Sequence, residues 1–135
     1  MEVLFIILLA IAIMYAAARR RGQKRRHYNG AVDGLLVNSI HIKTRDNEKF
    51  PRVGAYLEML DDAYKAGMNQ FEAAAYIAVL YYCGLEKHGF HEEALDVYLS
   101  IHEFIIPIQR GGGISLELWS RLTKEMNDAK NEPPF

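Results

Sequence analysis

The chain has 135 residues, half of them hydrophobic, a net charge of minus one and one cysteine, a length that allows one anchor and one small domain. Cys83 alone excludes an internal disulfide and fits a reducing compartment. Charge divides at residue 26, plus five before it and minus six after it, and the mildly acidic remainder argues against a nucleic-acid-binding surface.

Residues Val3 to Ala18 are uncharged and mostly apolar, and Arg19, Arg20, Arg21, Lys24, Arg25 and Arg26 follow at once. Sixteen helical residues rise about 24 Å, somewhat less than a hydrocarbon core of about 30 Å. Met1 and Glu2 can extend one end, and Arg19 to Arg21 can snorkel at the other. The segment has no polar stripe, which disfavours a helix lying flat in the interface. Val3, Phe5, Leu8 and Ile11 mark the expected span, and Tyr15 sits at a depth suited to an interfacial aromatic.

A cleaved signal peptide is the rival reading, because Ala16-Ala17-Ala18 resembles a cleavage site. Such a peptide wants a positively charged start, whereas no Lys or Arg precedes position 19, and six basic residues after the site oppose translocation. An uncleaved signal-anchor is therefore expected over residues 1–26. The positive-inside rule sets the amino terminus outside and the remainder in the cytosol or an equivalent compartment. The basic cluster also suits anionic lipid or nucleic acid, but a topology signal touching headgroups is the expected role.

Residues 27–50 read as a linker. Asn29-Gly30 and Asp33-Gly34 are turn dipeptides, and Lys43 to Lys49 is a solvated charge run. Leu35-Leu36-Val37 and Ile40-His41-Ile42 suit a short strand or packing on the domain. The expectation is an irregular segment partly pinned by those aliphatics.

Residues 51–130 read as four helices with short turns. Pro51 suits a first helical position, and Val53, Tyr56, Leu57, Leu60, Ala63 and Tyr64 follow at three-and-four spacing up to a stop at Gly67. Asn69 with Glu72 makes a capping-box pair. Ala73 to Leu85 carries no charge and is too short to span a bilayer, so it reads as a central, surrounded helix. Gly89 closes it, and His91-Glu92-Glu93 opens the next, with acids at the positive end of the dipole. There Ala94, Val97, Tyr98, Ile101 and Ile105 form the expected buried stripe, and Pro107 is expected to limit the helix. Gly111 to Gly113 reads as a flexible loop. Ser115 is the expected N-cap of a last helix facing inwards through Leu118, Trp119, Leu122 and Met126, and residues 131–135 read as a frayed tail. The fold class is all-α: one amino-terminal transmembrane helix and a small antiparallel helical bundle.

The stretch from Ala78 to Ile101, with Gly89, Glu93-Ala94-Leu95 and Tyr98, resembles a helical hairpin of the tetratricopeptide (TPR) type. The resemblance implies that Gly89 makes the turn, Ala94 permits close helix contact and Tyr98 packs on the neighbouring helix. It further implies a domain that binds another protein. The chain departs from the family in carrying Tyr81-Tyr82 where a small residue is usual, and in lacking a second full repeat.

Catalytic motifs do not assemble. The stretches His91-Glu92-Glu93-Ala94-Leu95 and His102-Glu103-Phe104-Ile105-Ile106 both lack the second histidine of a zinc-protease helix, and the glycine run is not followed by Lys-Ser or Lys-Thr. His88 and His91 straddle a helix break without two further ligands, so no metal or other cofactor is expected. The aromatic wealth is better evidence. Tyr76, Tyr81 and Phe90, with Phe104, Ile105 and Ile108 beside the glycines, are the candidate protein contacts. The expected function is a single-pass, membrane-anchored interaction module acting as accessory subunit, assembly factor or scaffold of a membrane complex. The alternative is a small regulatory or immunity-type protein that inhibits one target by occlusion. An enzyme is not expected, nor is a nucleic-acid or small-molecule partner.

Overall fold

The computed structural model describes residues 2–42 and 55–131. Among them are five helices and no strand: α1 (Glu2–Asn38), α2 (Ala55–Lys65), α3 (Gln70–Lys87), α4 (His91–Arg110) and α5 (Leu116–Asn131). The chain forms two compact units, Met1–Gly30 and Ala31–Phe135. The first is a single helical segment containing the long apolar run, and the last eight residues of α1 belong to the second.

The tether expected from His27 is thus helical as far as Asn38, and no strand forms over residues 35–42. The turn dipeptides are overridden by burial. Val32, Leu36 and Ile40, spaced four apart, are sequestered together with Ile42, so four apolar side chains leave water. Ile42 N–H donates to Leu36 O at 2.8 Å, and His41 takes φ 61° between the two buried isoleucines. The charge run at 43–49, and Pro51 and Val53, lie outside the described residues.

α3 is the centre of the second unit and packs against α2, α4 and α5. Ala73, Ala74, Ala75, Ile77, Ala78, Val79, Tyr81, Tyr82 and Leu85 are all buried along it, as its uncharged sequence requires. The small residues Ala74 and Ala78 let neighbouring helices approach, while Ile77 and Val79 fill the space between them. From α2 come Tyr56, Leu60 and Ala63, from α4 Ala94, Val97, Ile101 and Ile105, and from α5 Leu118, Leu122 and Met126. Leu57 and Tyr64 of the expected α2 stripe are exposed, and Tyr98 and Trp119 are half-buried.

Caps fix the helix ends. Asn69 Oδ1 accepts from Glu72 N–H at 2.8 Å, Glu72 Oε1 accepts from Asn69 N–H at 3.2 Å, and Ser115 Oγ accepts from Leu118 N–H at 3.3 Å. α3 ends in a Schellman motif: Phe90 N–H donates to Leu85 O and Gly89 N–H to Glu86 O, with Gly89 at φ 83°. The same pair of bonds ends α4, from Gly113 to Ile108 O and from Gly112 to Gln109 O, with Gly112 at φ 86°. The run expected to be a flexible loop is therefore a helix stop. Pro107 does not limit α4, which continues to Arg110. Pro107 and Glu103, the residue whose carbonyl it leaves without an N–H, are both exposed, so the lost bond falls on the wet side of the helix.

Candidate functional site

In the first unit, α1 holds its apolar side chains in the open. Val3 is 69% exposed, Phe5 68%, Leu8 58%, Ile11 56% and Tyr15 70%. The segment is long and apolar enough to cross a membrane. Arg19, Arg20, Arg21, Lys24 and Arg26 are exposed on the following turns, with Arg25 half-buried. At about 100° per residue these six cations surround the helix and leave no arc wider than about 100° free. They form a collar and not a face.

The expected protein contacts lie in the second unit and differ in exposure. Tyr81 and Ile105 are buried, Tyr76, Phe104 and Ile108 are half-buried, and Phe90 is 43% exposed. Ile105 faces the core, so the run from Phe104 to Ile108 is divided between inside and outside by the turn of its helix. Tyr98 lies between Tyr82, at 5.6 Å between ring centroids, and His102, at 4.3 Å, with Lys130 Nζ 5.8 Å from its centroid. Burial, with smaller contributions from Glu86, Cys83 and Tyr98, pushes the Tyr82 hydroxyl up to about 12. Burial also raises Tyr76, helped by Asp62 and Glu125 and opposed by Arg121.

A cleft of about 490 Å³ opens where α3 and α5 begin, lined by Gly67, Met68, Glu72, Ser115, Glu117 and Arg121 among others. Both oxygens of Glu72 are used by backbone donors, Asn69 N–H and Ser115 N–H. Asn69 Nδ2 also donates to Gly113 O at 2.9 Å. That carboxylate ties the fold together and is not free for chemistry. His91 Nδ1 lies 2.9 Å from Glu86 Oε2, joining the end of α3 to the start of α4.

The chain matches no family model, no curated protein and no solved structure. Gly89 does make the α3–α4 turn, Ala94 is fully buried and Tyr98 meets a ring of α3, yet these positions carry no family assignment.

The surface that sequence reading passed over is the outer side of α4. Leu95 and Leu99 are 54% and 55% exposed, one turn apart. The missed signal was a second apolar line at four and seven residues, Leu95, Leu99 and Ile106, beside the buried stripe.

Proposed function

We propose that this protein is a single-pass membrane protein whose helical carboxy-terminal unit lies on the cytosolic side. There it binds another protein, as accessory subunit, assembly factor or scaffold of a membrane complex. The observation that carries the reading is the exposed apolar segment of α1, ending in a cationic collar. Moving a Leu, Ile or Phe side chain from water into hydrocarbon gains about 1.5–3 kcal/mol each, and α1 satisfies its own backbone while doing so. A collar that surrounds the helix fits passage through a headgroup layer, where phosphates meet it from every side. A helix lying in the interface would want its cations on one face. Lys and Arg on this flank favour retention on the cytosolic side.

Among the described residues the second unit offers surfaces, the outer side of α4 first, and these favour binding. Anchoring raises its encounter with membrane partners by confinement near the bilayer, without adding contacts.

The test uses the full chain with a carboxy-terminal tag. Alkaline carbonate extraction should leave it in the membrane pellet, and added protease should remove the tag from inverted vesicles but not from right-side-out ones. Leu8→Arg should release a large fraction, since a central Arg opposes insertion by roughly 2.5–3.5 kcal/mol. Purification in mild detergent should then bring a stoichiometric membrane protein. Full extraction by carbonate would overturn the anchor, and a soluble one-to-one partner would favour inhibition by occlusion.

A further inference from the structure

Two parallel lines run along the outer side of α4. Leu95, Leu99 and Ile106 form one, at steps of four and seven. Glu92, Asp96 and Glu103 form the other, at the same steps and displaced by three residues. At about 100° per residue, Leu95, Leu99 and Ile106 fall within an arc of about 40°, and the three acids within the next arc of about 40°. Leu95 and Leu99 are more than half exposed, Ile106 is half-buried, and all three acids are exposed. No ion pair among the described residues engages Glu92, Asp96 or Glu103. The opposite flank is different in kind: the His102 ring lies 4.3 Å from that of Tyr98 and tilted by 56° to it, with Lys130 Nζ 5.8 Å from the Tyr98 centroid. The ridge is therefore apolar in the middle, with three acids along one side, a line that the exposed Arg110 ends seven residues beyond Glu103, and Lys130 on the other side.

We propose that this ridge docks an amphipathic helix of a partner protein, whose apolar stripe is bordered on one side by a line of Lys or Arg. The inference rests on the reading of the chain as an anchored interaction module and supplies the chemistry of its partner. Charge complementarity selects that occupant. Anionic lipid is repelled by the acidic line. A second copy docked antiparallel sets the acids of the two lines side by side, relieved only by Arg110 at one end, and docked in parallel it meets three acids with the single cation Lys130. A helix with a full line of Lys or Arg covers the leucines and matches all three acids, which neither arrangement of a second copy does. The one-sided charge also fixes the direction in which that helix lies.

The test places the full chain in phosphatidylcholine nanodiscs and titrates it into two fluorescein-labelled synthetic helices, read by anisotropy against empty discs. Both peptides carry Leu at the steps of the ridge. One carries Lys on the adjoining line and the other carries Glu. The Lys peptide should bind and the Glu peptide should not. Leu95→Ser with Leu99→Ser should weaken the Lys peptide at least about ten-fold. Glu92→Lys with Asp96→Lys and Glu103→Lys should exchange the preference between peptides. These substitutions alter exposed side chains, and an unchanged Trp119 emission verifies each fold. Equal binding of both peptides, equal binding by all variants, no binding of the Lys peptide, or a dimer that the leucine variant dissolves would overturn the proposal. Carbonate extraction reads the anchor separately. A chain that inserts yet ignores both peptides sinks the ridge alone, and a chain that does not insert sinks the anchored module.

Discussion

The carboxylate of Glu72, in the first turn of α3, accepts from the backbone N–H of Ser115 at 3.3 Å, forty-three residues away. Its other oxygen accepts from Asn69 N–H at 3.2 Å. One side chain thus serves two helix starts, completing the capping box of α3 and holding the segment that leads into α5. Both sites present N–H groups at the positive end of a helix dipole, where a carboxylate is favoured over any neutral group.

Glu72→Gln keeps the size and removes the charge. The amide has one acceptor oxygen, so one of the two N–H groups loses its partner. The expected loss is about 1 kcal/mol of stability, with faster hydrogen exchange at Ser115 or Asn69. Urea unfolding followed by the single Trp119 measures the first, and amide exchange the second. Equal stability and unchanged exchange at both amides would show that the carboxylate bridge is idle.

Two neighbouring glycines should respond in opposite directions. A Cβ on Gly113 would stand 2.6 Å from Ile108 Cγ2 and 3.2 Å from Ile108 O, so Gly113→Ala must push α4 away and costs about 1–3 kcal/mol. A Cβ on Gly111 meets nothing nearer than Pro107 O at 3.4 Å, and its φ of −78° suits any residue. Gly111→Ala should leave stability unchanged or raise it by about 0.4–1 kcal/mol through the unfolded chain. Urea midpoints of the two variants make the comparison.

These elements also mark how far the sequence could be read. Asn69, Glu72 and Ser115 were legible as caps because capping is decided within four residues. The central place of α3 was legible because thirteen uncharged residues have no other home in so short a helix. Pro107 and the glycine run misled, since a proline on the wet side of a last turn is tolerated and a triple glycine can be a stop as easily as a loop. The helical course of residues 27–38 was hidden behind Asn29-Gly30 and Asp33-Gly34, whose local preference yields to the burial of Val32 and Leu36. Of the aromatics expected at a contact Tyr81 is buried, Tyr76 and Phe104 are half-buried and Phe90 is exposed, and the exposed apolar line of α4 lay beside the stripe that was noticed.

Alkali should destabilise the fold through Tyr82. Its hydroxyl is held up to about 12 by burial, whereas the unfolded chain ionises near the ordinary value of 10. The unfolded state therefore gives up its proton first. The contribution of Tyr82 to stability is fully present below pH 10 and is lost as pH rises from about 10 to about 12. Tyr82→Phe should shift the urea midpoint at all pH values and flatten this alkaline decline relative to the parent chain. An identical slope in both chains would assign the decline to other tyrosines or lysines.

Leu36 and Val37 provide the sharpest check on the far end of α1, because they are adjacent and oppositely placed. Leu36 is fully buried and Val37 is 41% exposed. If residues 31–42 are part of the second unit's core, Leu36→Ala leaves a cavity and costs about 2–5 kcal/mol. Val37→Ala stays within about 0.5 kcal/mol, helped by alanine's better fit to a helix. An irregular tether would give two small and equal effects. Unfolding of both variants in the same detergent, read at Trp119 on α5, also reports whether the loss reaches a distant helix. A cooperative shift of the whole transition for Leu36→Ala makes α1's last turns a member of the fold, and an unmoved Trp119 transition makes them an appendage.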